Sequence, residues 1–506
     1  MKKTITLIIV SIITVVFLLG FIDRSPKDNN KSKAELVYSV NDIPQNLKSV
    51  GDLSKRQQDI ICATSIGLIE IDTNGEVLPA LAEGVEVKDE GIEYNFKIRD
   101  DLYWSDGTKI KPSDIVSFFR EILTEENENG ALLNIFGTKE FLNSEKSFNE
   151  TVGISATKDT LTIRLNSPDE DFLIELSKPQ YRLRKNLLLW ENIDNNYQNI
   201  PYSGSYSISS IDGKEVELER NSKVDEKLPK NIKIVKDEGE DLALASFEVG
   251  SRDIVMNPPS NQLKRLNEEN KIITLPSDNA TYLAFNLNAD IDSKGKAEIF
   301  RNINAAVLEY QEENNIYTSS AECSYFRKEK EDLNKLQARN VMVNARRYSE
   351  DDVAIVDGEA IKSISLVAED NLKNKDLVNY LSEWFDKNTG IKLITTLITK
   401  DDMNSLSEKS YYDVALININ TNMNDENNFF DSIVHYLPEE LKSKAEGLVS
   451  IEEKEGYFLE IENELFNNYI LLPLLFYNEN IAINKDIKSI ALDGHGNIDF
   501  NNLIKK

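Results

Sequence analysis

The sequence predicts an α/β protein of two lobes with mixed β-sheets, preceded by an amino-terminal transmembrane helix. Three observations lead there. At 506 residues the chain is too long for one ordinary hydrophobic core. From residue 36 onward strand and helix patterns alternate, first in a β-rich half and then in a βαβ half. Residues 4–22, TITLIIVSIITVVFLLGFI, form an apolar run without a single charge.

That run follows Met1-Lys2-Lys3 and precedes Asp23-Arg24, and its 19 residues are long enough to span a bilayer. A secretory signal peptide has the same basic start and apolar middle. Small residues suited to signal peptidase are poorly placed, and Phe21 stands after Leu18-Leu19-Gly20 where a bacterial lipoprotein needs cysteine. Residues 1–24 therefore read as an uncleaved anchor rather than a removed signal. Basic residues on both sides leave orientation weakly decided, and export of the chain beyond the anchor is expected. Residues 25–35 read as a polar linker.

Ile92, Tyr94, Phe96 and Ile98 alternate with polar residues, the pattern of a half-buried strand. Leu161, Ile163 and Leu165 repeat it, as do Val216 and Leu218 between glutamates. Between the first two, Pro112 suits a first helical turn, and Ile115, Val116, Phe119, Ile122 and Leu123 follow helical spacing. In the second half, residues 364–368 read as a strand, and Leu377, Val378, Leu381, Trp384 and Phe385 stripe one helix face. Asn388-Thr389-Gly390 is expected to end that helix with a left-handed glycine. Strands follow at 391–398 and 412–419, a crossover that demands a partly parallel sheet. ILLPLLFY, 470–477, is nearly continuous apolar, as a strand buried on both faces would be.

Composition limits function. Basic residues number 58 and acidic residues 87, a net charge of −29. That balance argues against nucleic acid, whose phosphates are held by Lys and Arg, and against an electrostatic grip on anionic lipid. Cys62 and Cys323 are too few for a disulfide scaffold or zinc site, and Cys62 reads as a small core residue. Two histidines, His435 and His495, offer little material for general acid–base chemistry. A G-x-S-x-G elbow, metal-spaced histidines and a phosphate-cradling glycine loop are all lacking, so no catalytic residue, metal or cofactor is expected.

The run LPALAEGVEVKDEGIEYNFKIRDDLYWSDGTKIKPSDIVSFF, residues 78–119, resembles the signature of family 5 extracellular solute-binding proteins. These are the oligopeptide, dipeptide and nickel receptors of bacterial ABC importers. The family's P-x-L-A-E stretch falls at 79–83, its strand at 94–98 and its W-S-D-G-T turn at 104–108. VGISATKDTLTIRLNSP (152–168), IPYSGSYSI (200–208), VELERN (216–221), FEVGSRDIV (247–255), TYLAFNLN (281–288), GIKL (390–393) and YYDVALI (411–417) follow in family order. Residues 300–360 match least. The resemblance implies the two-lobed, periplasmic-binding-protein-like fold of the type II, peptide-binding type, with ligand enclosed when the lobes close. It sets lobe I at 36–285 with 470–506 returning to it, and lobe II at 286–469. TYLAFNLN and ILLPLLFY would be the crossing strands.

Within Trp104-Ser105-Asp106-Gly107 a structural turn explains the residues better than a site. Gly204 reads as a backbone requirement, and Tyr282 as either a ligand-facing wall or core. In oligopeptide-binding members the strand matching 413–419 ends in tryptophan, two small residues, aspartate and tyrosine. Its backbone pairs with an extended peptide and the aspartate pairs with the peptide's amino terminus. This chain has Ile419 for the tryptophan, Asn422 for the aspartate and Met423 for the tyrosine. Leu416 falls where some members carry an arginine. The expected ligand-binding residues are Asn418, Ile419, Asn420, Thr421, Asn422, Met423, Asp425 and Tyr282. The resemblance implies a receptor that captures a small ligand, a peptide, and delivers it to the permease subunits of an ABC transporter. It would act as a monomer on the outer face of the membrane, tethered only by its amino-terminal helix. The alternative is a transport-independent surface sensor or interaction protein on the same fold.

Overall fold

The computed structural model describes residues 35–505 apart from 41, 73–75, 126–129, 144–146, 170, 322–354, 357–358, 407–410, 421–432, 434–459 and 462. The expected anchor, residues 1–24, and most of the linker 25–35 lie outside the described residues. Among the described residues no helix is long and apolar enough to cross a membrane. The chain divides into two compact units: the first runs to Pro259 and takes back the chain from Ala482, and the second is Ser260–Ile481. The limits set from the sequence, 285/286 and 469/470, both fall within the second unit.

The first unit begins with β1 (Glu35–Val40) and α1 (Lys55–Thr64). A small antiparallel sheet follows, built from β2 (Ala82–Lys88), β3 (Glu93–Ile98), β4 (Ile154–Ala156) and β5 (Thr160–Arg164) in the order β2-β3-β5-β4. The helix α2 (Pro112–Glu125) starts at its proline, as the pattern predicts, and packs on β4 and β5. Phe96, Phe118, Phe119, Leu161 and Ile163 fill this core, each at most 1 % exposed. The unit's main sheet adds β6 (Tyr206–Ile211), β7 (Glu215–Arg220), β8 (Asn231–Lys236) and, after α3 (Glu240–Glu248), β9 (Ile254–Met256). Its order is β9-β1-β8-β7-β6, with β1 parallel to both β8 and β9.

Two sequence expectations resolve here. Trp104 is buried, and the turn after it closes by hydrogen bonds from Gly107 N to the Trp104 carbonyl and from Thr108 N to Asp106 Oδ1, with Gly107 at φ +83°. A methyl group on Gly204 would come within 2.4–2.6 Å of the backbone at residues 63–65, so a side chain is excluded there.

The second unit contains β10 (Ile272–Phe285), α4 (Ser293–Glu313), β11 (Ser363–Glu369), α5 (Leu372–Asn388), β12 (Lys392–Ile398), α6 (Lys400–Asn404), β13 (Val414–Asn420) and β14 (Leu471–Ile483). Its strands are ordered β12-β11-β13-β10-β14; β11 is parallel to β12 and β13, while β10 and β13 are antiparallel. Leu377, Val378, Leu381 and Phe385 of α5 face the core, the stripe the sequence predicts. β14 is buried along most of its length, as its continuous apolar run predicts. The end of α5 differs from expectation. Gly390 is not left-handed; extended Thr389 ends the helix, and its hydroxyl bonds the Phe385 carbonyl while accepting from Ile391 N. A side-chain hydroxyl thus replaces the backbone turn that a glycine would supply.

Candidate functional site

Where successive crossovers leave a parallel sheet in opposite directions, the strand ends part and open a crevice beyond their carboxyl ends. In the second unit β12 lies on one side of β11 and β13 on the other, so that point falls between β11 and β13. The residues at these ends carry short amides and hydroxyls.

β11 ends at Glu369, and Asn371 caps α5 by accepting the Asn374 N–H at 2.9 Å. Asn374 is fully buried, and its Nδ2 donates to the Glu369 carbonyl at 2.9 Å. Its Oδ1 accepts Nδ2 of Asn418, near the end of β13, at 2.8 Å. Thr281 on β10 sits directly across the ladder from Asn418 and donates its hydroxyl to Asn418 Oδ1 at 2.7 Å. The Tyr477 hydroxyl on β14 lies 3.5 Å from Thr281 Oγ1.

These bonds fix one another's direction. A backbone carbonyl only accepts, so the Asn374 amide must turn its Nδ2 to Glu369 and its Oδ1 to Asn418. Asn418 must then turn Nδ2 to Asn374 and Oδ1 to Thr281. Thr281 directs its one proton to Asn418 at 2.7 Å, the shorter of its two contacts. Burial pushes the Tyr477 phenol up to about 12, so it stays neutral at physiological pH. The Lys373 ammonium stands 4.8 Å from the centre of the Tyr477 ring. Thr281, Asn374 and Tyr477 are buried while Asn418 is exposed, so a rigid buried relay supports one solvent-facing amide.

Of the expected residues, Asn418 is exposed in this relay and Ile419 is buried beside it. Asn420 ends β13 in register with Asn279. Tyr282 is fully buried opposite Ile417, in the core of the second unit. Thr421, Asn422, Met423 and Asp425 lie outside the described residues. Leu416 is buried and apolar, so its position contributes no cation. Thr281, Asn374 and Tyr477 went unforeseen, although the Asn371-x-x-Asn374 spacing after a strand is a readable helix start. Among the described residues no group of His, Cys, Asp and Glu side chains could hold a metal ion.

The family model described as bacterial extracellular solute-binding proteins, family 5 middle, matches residues 76–305. The match takes in somewhat under half of the chain and is a likeness to that family over those residues. The chain is 26% identical to the dipeptide-binding protein of Lactococcus lactis over 176 residues, 34% of this chain and 32% of the relative. With the oligopeptide-binding protein OppA of Bacillus subtilis it shares 28% identity over 149 residues, 29% of this chain and 27% of the relative. The chain thus spans about a third or less of these relatives' lengths. In fold it resembles the Escherichia coli murein tripeptide binding protein MppA, with a TM-score of 0.63 at 15% identity over 94% of this chain and 99% of that one. Peptide-bound OppA of Listeria monocytogenes gives a TM-score of 0.60 at 14% identity, covering 94% and 100%. These likenesses establish a two-lobed α/β periplasmic-binding-protein-like fold with mixed sheets.

Proposed function

We propose that this protein is an extracytoplasmic receptor that captures a peptide and hands it to the permease of an ABC importer. The reading rests on the family match over residues 76–305, and relatives named for dipeptide and oligopeptide binding support the ligand class. Residues 418–423 with Asp425 would form the wall along which an extended peptide lies, and Tyr282 would back that wall from within. The polar relay beneath Asn418 gives this proposal a physical basis, because it holds a strand end in the geometry that strand addition needs. The apolar run 4–22 would tether the receptor to the outer face of the membrane, where it would work as a monomer.

Mass spectrometry of small molecules released on denaturing the purified protein tests this. A pool of short peptides is the expected result. Protein that releases none, and whose tryptophan fluorescence stays flat on titration with mixed peptides, would remove the reading.

A further inference from the structure

Among the described residues Asn418 has two side-chain hydrogen bonds, one through each end of its amide, and both run to side chains of its own unit. A primary amide has two N–H donors and an oxygen with two lone pairs. Among the described residues one N–H and one lone pair therefore remain uncommitted on an exposed side chain whose plane is set by the buried relay. Neither amide end can turn over without breaking the chain of donors back to the Glu369 carbonyl.

A group that presents one donor and one acceptor together suits neither charged end of a peptide. A carboxylate would meet the lone pair, and an ammonium would meet the N–H. What it does match is another amide-bearing group with a donor and an acceptor on the same side. In an extended chain the N–H and C=O of a single residue point the same way, as in the doubly bonded pairs of an antiparallel ladder. We propose that the Asn418 side chain docks the N–H and C=O of one interior residue of an extended peptide. It thereby fixes the peptide's register at a site without net charge. This deepens the peptide reading above and rests on it.

Thr281 and Asn374 act here as positioning residues, since they touch Asn418 and not the peptide, and Tyr477 stands behind Thr281. The arrangement also gives sequence-independent grip, because every residue other than proline offers the same pair of groups.

Calorimetry with tetra-alanine and its single-ester analogues tests the idea on the full-length protein. Each ester replaces one backbone N–H by oxygen and removes one donor. For wild type, the ester at the docked residue should weaken binding about five- to tenfold. In Asn418→Ala that penalty should vanish at this residue and persist at any other position where it exists. Asn418→Thr, a better strand former, repeats the measurement should the alanine variant fold poorly. Equal ester penalties in wild type and variants at every position overturn the docking role while leaving peptide binding intact. Wild type that binds no member of the set overturns both readings together.

Discussion

The two units carry the same core of three parallel strands, each ordered second-first-third, and they furnish it with opposite chemistry. In the first unit β8-β1-β9 is accompanied by buried charge. Arg56 and Asp59 pair at 3.2 Å, and Arg182 reaches Glu70 at 3.1 Å and Asp493 at 3.6 Å. In the second unit β12-β11-β13 carries the neutral Asn374–Asn418–Thr281 relay. The ionic set is closed on itself: Asp59 Oδ1 accepts the Ile498 N–H at 2.9 Å and Asn497 Nδ2 at 3.2 Å, and Arg56 donates to the Gly496 carbonyl. It joins residues some 440 positions apart. The neutral set joins neighbouring strands and leaves one amide in solvent. Buried charge demands complete pairing because its desolvation is expensive, whereas a neutral chain tolerates an open end. A site for an uncharged backbone belongs with the second kind.

This contrast can be broken at several points. The largest effect should come from Asp59→Ala, which strands the Arg56 guanidinium and frees the 496–498 segment. A loss of about 3–5 kcal/mol is expected, read from the urea midpoint of the first unit. A loss under one would mean that the ion pair is idle. In the second unit Thr281→Val removes a neutral link without changing shape, and should cost about 1 kcal/mol. It should also weaken peptide binding, since Asn418 loses one of its two supports. If Thr281→Val proved as damaging as Asp59→Ala, the distinction between the units would fail.

The smallest effect concerns pH. Burial raises the carboxyl groups of Glu70 and Asp493 above their ordinary range, with the Arg182 charge opposing it. A carboxyl raised on folding holds its proton more tightly in the native state. Its contribution is therefore complete below the unfolded value and is lost as pH climbs through the folded one. The stability of wild type relative to Glu70→Gln should accordingly improve as pH falls from 7 toward 4.5, the ordinary value for Glu70. A difference that stays flat across that window would deny Glu70 its buried role.

Much of the framework was legible in the residues. Period-two alternation marked β3, β5 and β7, Pro112 marked the start of α2, and the Leu377–Phe385 stripe marked α5. These signals are local, so a single sequence carries them. The ionic cluster was not legible, because Arg56, Arg182 and Asp493 look like ordinary surface charges until the chain brings them together. Cys62 was read correctly as a small core residue, and it is buried with a free thiol that burial pushes upward. At the site, the resemblance of the 413–419 strand to a peptide-pairing strand pointed to Asn418. Its partners could not follow from that segment alone, since Thr281 and Asn374 come from other elements and meet it only through strand register and helix placement. The left-handed ending at Gly390 was misjudged because the Thr389 hydroxyl does the same work.

The return of residues 482–505 to the first unit bears on how the molecule is born. A nascent chain emerging from the ribosome exposes β1 and α1 early, yet the groups that satisfy Asp59 arrive only with Asn497 and Ile498. Vectorial synthesis normally lets the leading domain mature first. Here the interrupted one must wait, half-built, while the intervening segment 260–481 is translated, and a truncation ahead of Asn497 would leave it permanently unfinished.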